Sequence, residues 1–226
     1  MNKNLGITLG LLGAVIVALG VLLVLNNRTS PAPTGDPDAD TAGGPAVDTE
    51  LLVRDDSHYL DRVEDSPVTV VEFLDFECEA CRAQFPIMEQ IREDYEGEIN
   101  VVLRYFPLPG HANSEPAAAA VEAAAQQDAL EEMYARMFET QGEWGERQES
   151  QAEVFEGFAE DIGLDMEEFT ETVEAPETLA RIRSDFDDGQ ELGVRGTPTI
   201  YVNGTQTQSM PSYDALASLI DQELAG

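Results

Sequence analysis

The stretch "VTVVEFLDFECEACRAQFP", residues 68–86, decides the fold because it joins a strand signal to a pair of cysteines. Its first part, residues 68–74, is mostly β-branched or aromatic, which predicts a central strand buried on both faces. Over residues 79–95 the apolar side chains recur at helical spacing. The C-x-x-C motif of Cys78 and Cys81 is therefore predicted to lie between a buried strand and a helix.

The segments that follow predict the rest of the core. Residues 99–106 predict a second strand, and the short joints favour a right-handed crossover with parallel pairing. Residues 111–192 predict a helical insertion. Residues 199–208 predict a hairpin that turns at an Asn-Gly pair, and residues 212–224 predict a last helix. The order βαβ, insertion, ββα gives an α/β fold with a four-stranded mixed sheet, and this order is thioredoxin-like.

The insertion is predicted to contain several short helices. An Ala-rich run at residues 117–127 has high helix propensity, and residues 130–138 continue the pattern. Residues 141–151 are polar and contain Gly142 and Gly145, which predicts a loop.

The N-terminal part predicts a membrane tether. Residues 5–25 carry no charge and are long enough to span a bilayer as a helix. The apolar run is longer than in a usual cleaved signal peptide, and Ala18-Leu19-Gly20 inside it is a poor cleavage site, so residues 1–28 are predicted to be an uncleaved transmembrane signal anchor. Residues 29–50 are rich in Pro, Gly, Ala, Thr and Asp, which predicts a flexible linker. Residues 51–226 are then one domain on the extracytoplasmic side of the cell membrane.

The charge of the chain excludes some partners. It has 45 Asp and Glu against 12 Lys and Arg, a formal net charge of −33. Nucleic-acid binding needs a basic surface, so this composition argues against it. Adaptation to high salt and an ordinary solvated acidic surface both remain open.

The two cysteines of the chain predict redox chemistry. At a helix start, residues three apart are neighbours, so the two sulfurs can meet. Free N–H groups and the helix dipole favour Cys78 as the attacking thiolate, with Cys81 as the resolving thiol. A static disulfide closing so short a loop would stabilise little. A zinc site would need more ligands, and His58 and His111 lack the spacing for one. No metal or organic cofactor is expected.

The segments "VVEFLDFECEAC" and "GTPTIYVNG", with the helical insertion between them, resemble DsbA-like thiol–disulfide oxidoreductases of the thioredoxin superfamily. The resemblance implies a cis peptide bond between Thr197 and Pro198, in a loop that faces the cysteines and binds the substrate chain. It also implies that Glu72 is a buried acid. Burial would raise the pKa of Glu72 and let it exchange a proton with Cys81. The alternatives are a trans Pro198 and a Glu72 that faces solvent.

The chain also departs from the family pattern. Glu and Ala separate the cysteines, where strong oxidants of the family usually have Pro and then a polar or basic residue. Asp75, Glu77 and Glu79 place negative charge near Cys78, which predicts a raised pKa for that thiol and a milder redox potential. His111 is interpreted as an ordinary loop histidine in preference to a group that tunes the thiolate.

These features predict an extracytoplasmic, membrane-anchored protein disulfide oxidoreductase. Its substrates would be unfolded or reduced secreted or envelope proteins, bound as mixed disulfides to Cys78. The resemblance implies a membrane redox partner that resets the disulfide. One alternative is a copper-binding protein with His111 as a third ligand. Another is a tethered adapter or chaperone that uses the insertion for docking. The direction of electron flow and the oligomeric state stay open.

Overall fold

Strand β2 (Thr69–Leu74) lies at the centre of a five-stranded sheet in the computed structural model, which describes residues 47 and 49–226. It pairs in parallel with β3 (Asn100–Tyr105) and antiparallel with β4 (Thr199–Val202). Residues 70–74 are all buried, because helices cover both faces of the sheet. The predicted central strand and its parallel crossover are confirmed.

The two outer strands complete the order β1-β3-β2-β4-β5. Strand β1 (His58–Asp61) pairs antiparallel with β3, and β5 (Thr205–Gln206) pairs antiparallel with β4. The prediction of four strands was wrong because β1 is short and polar, with Leu60 as its one buried residue. The Asn-Gly turn has the expected positive φ angles, 45° at Asn203 and 81° at Gly204.

The helices of the described part flank this sheet. Their bounds are α1 (Thr49–Leu52), α2 (Glu79–Asp94), α3 (Ser114–Ala125), α4 (Leu130–Trp144), α5 (Ala152–Ile162), α6 (Met166–Glu174), α7 (Pro176–Glu191) and α8 (Tyr213–Leu224). Helices α3 to α7 lie between β3 and β4 in the chain, so the predicted helical insertion is confirmed. Within residues 47 and 49–226, no helix is long and apolar enough to cross a membrane. The predicted transmembrane anchor and most of the predicted linker lie outside these residues.

Helix α4 extends into the stretch that was predicted to be a loop. It continues to Trp144, which is fully buried and packs edge-on against Phe155 at 4.9 Å between ring centres. Gln141 is also buried, and its amide nitrogen donates to the carbonyl oxygens of Phe76 at 2.6 Å and Cys78 at 3.0 Å. Gln141 and Trp144 therefore face inward while Glu143 is exposed, which the polar composition alone does not indicate.

The alternation of side chains along β2 divides them between two apolar clusters. Val70 and Leu74 join the larger cluster with α2 and the insertion. Val71 and Phe73 join a smaller cluster on the opposite face. Alternation places Glu72 on the same face as Val70 and Leu74, and it pairs in register with Leu103 and Ile200.

A buried arginine connects the insertion to the sheet. Arg104 of β3 is fully buried and donates to Asp185 and Asp188 of α7, each at 2.6 Å. It also donates to the carbonyl oxygens of Leu51 and Leu52, which end α1. Helix α1 begins at Thr49, inside the stretch predicted to be the linker. A short helix therefore begins before residue 51, the predicted start of the domain.

Candidate active site

The two cysteines lie at the start of α2, as their spacing predicts. Cys78 is the N-cap residue, with an extended backbone at φ −71° and ψ 121°. Both thiols are free. Cys78 is 9% exposed and borders an open cavity of about 480 Å³, whereas Cys81, one turn further, is 1% exposed. An approaching sulfur atom can therefore reach Cys78 first.

The surroundings of Cys78 favour its thiolate. A hydrogen bond from the Cys81 thiol is the largest cause and lowers the pKa of Cys78 to about 5, against the opposing effect of burial. The backbone N–H groups of Cys81 and Ala80 lower it further. These backbone donors are the unpaired N–H groups of the helix start. Cys78 is therefore ionised at neutral pH.

The surroundings of Cys81 favour its protonated form. Burial raises the pKa of Cys81 well above its ordinary value, and the neighbouring Cys78 and Glu72 raise it further. Two thiols one turn apart thus have pKa values displaced in opposite directions. One is a nucleophile at neutral pH, and the other holds a proton until its sulfur is needed.

The expectation that nearby carboxylates raise the pKa of Cys78 was wrong. The buried Asp75 accepts hydrogen bonds from the backbone N–H groups of Glu77 at 2.8 Å and Leu108 at 2.9 Å. The buried Glu77 accepts one from the backbone N–H of Asn113 at 2.7 Å. These carboxylates accept hydrogen bonds from backbone donors, of which Leu108 and Asn113 follow β3 and Glu77 precedes α2. The predicted milder redox potential thereby loses its physical basis.

The loop before β4 meets the active-site helix. The Thr197–Pro198 peptide bond is cis, as the resemblance implied, and the trans alternative is wrong. The carbonyl oxygen of Thr197 lies 3.5 Å from the sulfur of Cys78 and accepts its hydrogen bond when the thiol is protonated. The backbone of Thr197 is therefore adjacent to the atom predicted to react.

Glu72 is buried beneath the cysteines. It is 4% exposed, so the alternative that it faces solvent is wrong. Burial is the main cause that raises the pKa of Glu72 to about 8, and the charge of Glu89 adds to it. Among the described residues, its carboxyl group has no hydrogen-bond partner. Glu72 is therefore mostly protonated at pH 7, and it interacts electrostatically with Cys81.

His111 reaches the site, although the sequence favoured an ordinary loop histidine. It borders the same cavity as Cys78, and its Nδ1 lies 2.6 Å from Oδ2 of Asp75. A signal for this proximity exists in the sequence. Asp75 follows β2 and His111 follows β3 after a short loop, and parallel neighbouring strands end at the same edge of a sheet.

The described residues contain no group of three or more His, Cys, Asp and Glu side chains that could hold a metal ion. Cys78, Cys81 and His111 were the ligands proposed for the copper-binding alternative. Within the part of the chain that the structure describes, nothing specific favours that alternative.

Comparison with known proteins places this site in a family. A family model described as "Thioredoxin" matches residues 63–222. The chain is 33% identical over 170 residues to the probable disulfide bond formation protein D of Bacillus anthracis, covering 71% of this chain and 76% of that protein. It is also 33% identical over 181 residues to the Na(+)/H(+) antiporter NhaA 1 of Salinispora arenicola. That match covers 80% of this chain but spans only 27% of the antiporter.

Solved structures share the fold. A thioredoxin-like oxidoreductase from Silicibacter pomeroyi has a TM-score of 0.68 and 26% identity, covering 80% of this chain and 99% of that one. BdbD from Bacillus subtilis, in its oxidised form, has a TM-score of 0.68 and 24% identity, covering 83% of this chain and 100% of that one. At 24% identity, the match to BdbD shows a shared fold and nothing more.

Proposed function

We propose that this chain, which belongs to the thioredoxin family, is a protein disulfide oxidoreductase of the DsbA type that exchanges disulfides with other proteins through Cys78 and Cys81. The observation that carries this proposal is the contrast between the two thiols. Cys78 borders a cavity and is ionised at neutral pH, whereas Cys81 is buried one turn behind it and protonated. This contrast assigns attack to Cys78 and resolution to Cys81.

The direction we propose is oxidation of the substrate. A substrate thiolate attacks the sulfur of Cys78 in the Cys78–Cys81 disulfide, and Cys81 leaves and takes up a proton. The second thiolate of the substrate then attacks the substrate sulfur that is bonded to Cys78. The substrate disulfide forms, and Cys78 leaves as a thiolate. The substrate loses two electrons and two protons. One proton goes to Cys81 and the other to solvent. A stable Cys78 thiolate favours the reduced form of the chain and so drives the oxidation.

Glu72 is proposed as the source of the proton that Cys81 receives. It is buried on the same side of the sheet as Cys81, and it holds a proton at neutral pH because its pKa is about 8. A leaving thiolate in a buried position is costly unless it is protonated or paired. A neutral acid within electrostatic reach of Cys81 meets that need and can recover its proton later.

Thr197 and Pro198 are proposed as the substrate-binding loop. The 3.5 Å approach of Thr197 to the sulfur of Cys78 supports this role, because a substrate cysteine bonded to Cys78 must lie beside the same backbone. An extended substrate segment can pair with exposed backbone groups of such a loop. Pro198 is buried and the loop enters β4 directly, so its position is fixed by the sheet.

The proposed setting is the extracytoplasmic face of the cell membrane. Residues 1–28 would be the signal anchor, residues 29–50 the linker, and residues 51–226 the catalytic domain with its insertion at about 111–192. The substrates would be reduced secreted or envelope proteins, because disulfides persist outside the cytosol. A membrane redox partner would reset the disulfide after each cycle. The name of the Bacillus relative, a probable disulfide bond formation protein, supports this setting.

Trapping of a mixed disulfide tests the function. A Cys81→Ser variant, incubated with a peptide that contains one disulfide, should form a covalent adduct through Cys78 that dithiothreitol reverses. The Cys78→Ser variant is the matched control and should form none. Wild-type chain in its oxidised form should also convert a two-cysteine peptide to its disulfide. Absence of an adduct with Cys81→Ser, or wild-type behaviour of Cys78→Ser, would favour the adapter alternative.

A further inference from the structure

We propose that His111, held in place by Asp75, is a cationic positioning residue that stabilises the thiolate of Cys78 and makes the site more oxidising. This inference rests on the proposed function and adds to it a residue from outside the C-x-x-C motif. The pair between the cysteines, Glu79 and Ala80, supplies no positive charge. A positive charge comes instead from His111, in the loop after β3.

Asp75 fixes the imidazole of His111. Its side chain is completely buried, and Oδ2 accepts both the backbone N–H of Leu108 at 2.9 Å and the Nδ1 of His111 at 2.6 Å. Oδ1 accepts the backbone N–H of Glu77 at 2.8 Å. An ionised carboxylate can only accept hydrogen bonds, so the contact places a proton on Nδ1 of His111. The two backbone donors hold the carboxylate, and the carboxylate therefore orients the ring.

The side chain of His111 contacts the carboxylate of Asp75 and also borders the cavity of the reacting sulfur. Its backbone N–H donates to the carbonyl of Leu108 at 3.0 Å, which closes the turn that brings it to the cavity. In the described part of the chain, Asp75 is the one side chain that hydrogen-bonds to the imidazole. His111 and Cys78 thus border the same cavity, and Asp75 holds the imidazole there.

The charged groups around His111 favour its protonated form. They are Asp75, Cys78, Glu77, Glu79 and Glu146 at the cavity, with Glu115 and Arg183 on the other side of the loop. Burial lowers the pKa of His111, but Asp75 and then Cys78 and Glu77 outweigh it, so the pKa is raised from its ordinary value. Cys78 ionises near pH 5. Where Cys78 is ionised and His111 is protonated, the same cavity is therefore bordered by a thiolate and an imidazolium.

An interaction between two ionisable groups shifts both of their pKa values by the same amount. If the imidazolium favours the thiolate by a given factor, the thiolate must favour the imidazolium by the same factor. Removal of His111 should thus raise the pKa of Cys78 by the same amount that removal of the thiolate lowers the pKa of His111. A residue that only fills space would produce neither shift.

The first test follows thiolate absorbance of the reduced protein against pH. His111→Gln should raise the pKa of Cys78 by about one unit, since an adjacent opposite charge shifts a pKa by about 1–3 units. His111→Lys restores a cation and should retain most of the lowering. His58→Gln is the matched control, because His58 pairs with Glu122 and does not border the cavity. An unchanged Cys78 pKa in His111→Gln overturns the proposal.

The second test needs no variant of His111 and remains valid if that substitution disturbs folding. The pKa of each histidine is measured by NMR in reduced and oxidised wild-type protein. Oxidation removes the thiolate, so the pKa of His111 should fall by about one unit while that of His58 stays constant. Equal His111 pKa values in the two redox states overturn the proposal.

Equilibration with glutathione links the tests to function. His111→Gln should make the disulfide about tenfold harder to reduce, which corresponds to a potential lower by about 30 mV. His58→Gln should leave the potential at the wild-type value. Failure of the proposed function would appear as no adduct in the Cys81→Ser trapping experiment. Failure of this inference would appear as uncoupled pKa values in a protein that still forms the adduct.

Discussion

At the scale of single residues, Cys78 and Cys81 carry the same side chain and become different acids through their positions. Cys78 caps a helix and borders a cavity, whereas Cys81 lies one turn further along the helix and is 1% exposed. The helix start stabilises a charge on the first sulfur, and burial disfavours one on the second. The reaction needs this asymmetry, because one sulfur must attack while the other waits.

Glu72 gives the fold a stability that depends on pH. Its pKa rises from the 4.5 of an unburied glutamate to about 8 in the folded chain, so folding takes up a proton between these values. The stability from the buried neutral acid is complete below about pH 4.5 and is lost as the pH rises to about 8. Glu72→Gln cannot ionise and should gain on the order of 3 kcal/mol relative to wild type between pH 5 and pH 8.

Urea unfolding of both proteins at the two pH values measures this difference. Glu93→Gln, at an exposed position of the same α2, is the control and should show almost none. The same Glu72→Gln protein tests the proton transfer, since its rate of disulfide exchange should lose part of its pH dependence. A stability difference that stays constant with pH would show that Glu72 is already ionised in the folded protein.

The residue roles divide into those that local sequence could predict and those that it could not. The depth of Cys81 follows from helical spacing, and the cis bond before Pro198 was implied by the family resemblance. Local sequence does not predict the direction in which the pKa of Cys78 shifts, because that direction depends on where Asp75 and Glu77 point. Two of the donors that orient these carboxylates, the backbone N–H groups of Leu108 and Asn113, lie more than 30 residues away in the chain. Only the folded structure brings them together.

At the scale of elements, α4 shows how a buried amide can look like a loop signal. Gln141 appears polar in the sequence, yet its side chain is 2% exposed and donates to two carbonyl oxygens beside the active site. Composition cannot distinguish a glutamine that faces water from one that satisfies a buried backbone. Strand β1 was missed for a related reason, since its pairing is provided by β3 and not by its own short sequence.

Gln141→Ala should loosen the start of α2. The carbonyl oxygens of Phe76 and Cys78 would each lose a buried donor, at a cost of about 1–3 kcal/mol in the free energy of unfolding. The rate at which Cys78 reacts with an alkylating probe should rise, because the N-cap segment becomes more mobile. Gln222→Ala in α8 is the control, since its amide bonds only to Ser218 on the same helix at an exposed position. Equal stability of the two variants would contradict this role for Gln141.

At the scale of the whole molecule, a buried ion network stabilises the fold, whereas a large negative charge destabilises it. Arg104 connects the sheet, α7 and the end of α1 through paired carboxylates and backbone oxygens. The formal net charge is −33, so the excess Asp and Glu side chains repel one another across the surface of the same molecule. The network is shielded from solvent ions, whereas the surface charge is not. Added salt should therefore weaken the repulsion more than it weakens the network.

The melting temperature should accordingly rise with salt, by several degrees between about 0.05 M and 1 M KCl, as the screening length falls from more than 10 Å to about 3 Å. Helix α6 offers a local check, because Glu167, Glu168, Glu171 and Glu174 are exposed and its sequence contains no basic residue. A Glu171→Gln, Glu174→Gln double variant removes two charges from the negative end of the helix dipole. It should melt higher than wild type at low salt and gain less from added KCl. A melting temperature that does not change with salt in either protein would rule out high-salt adaptation and leave the acidic surface with a role in solubility alone.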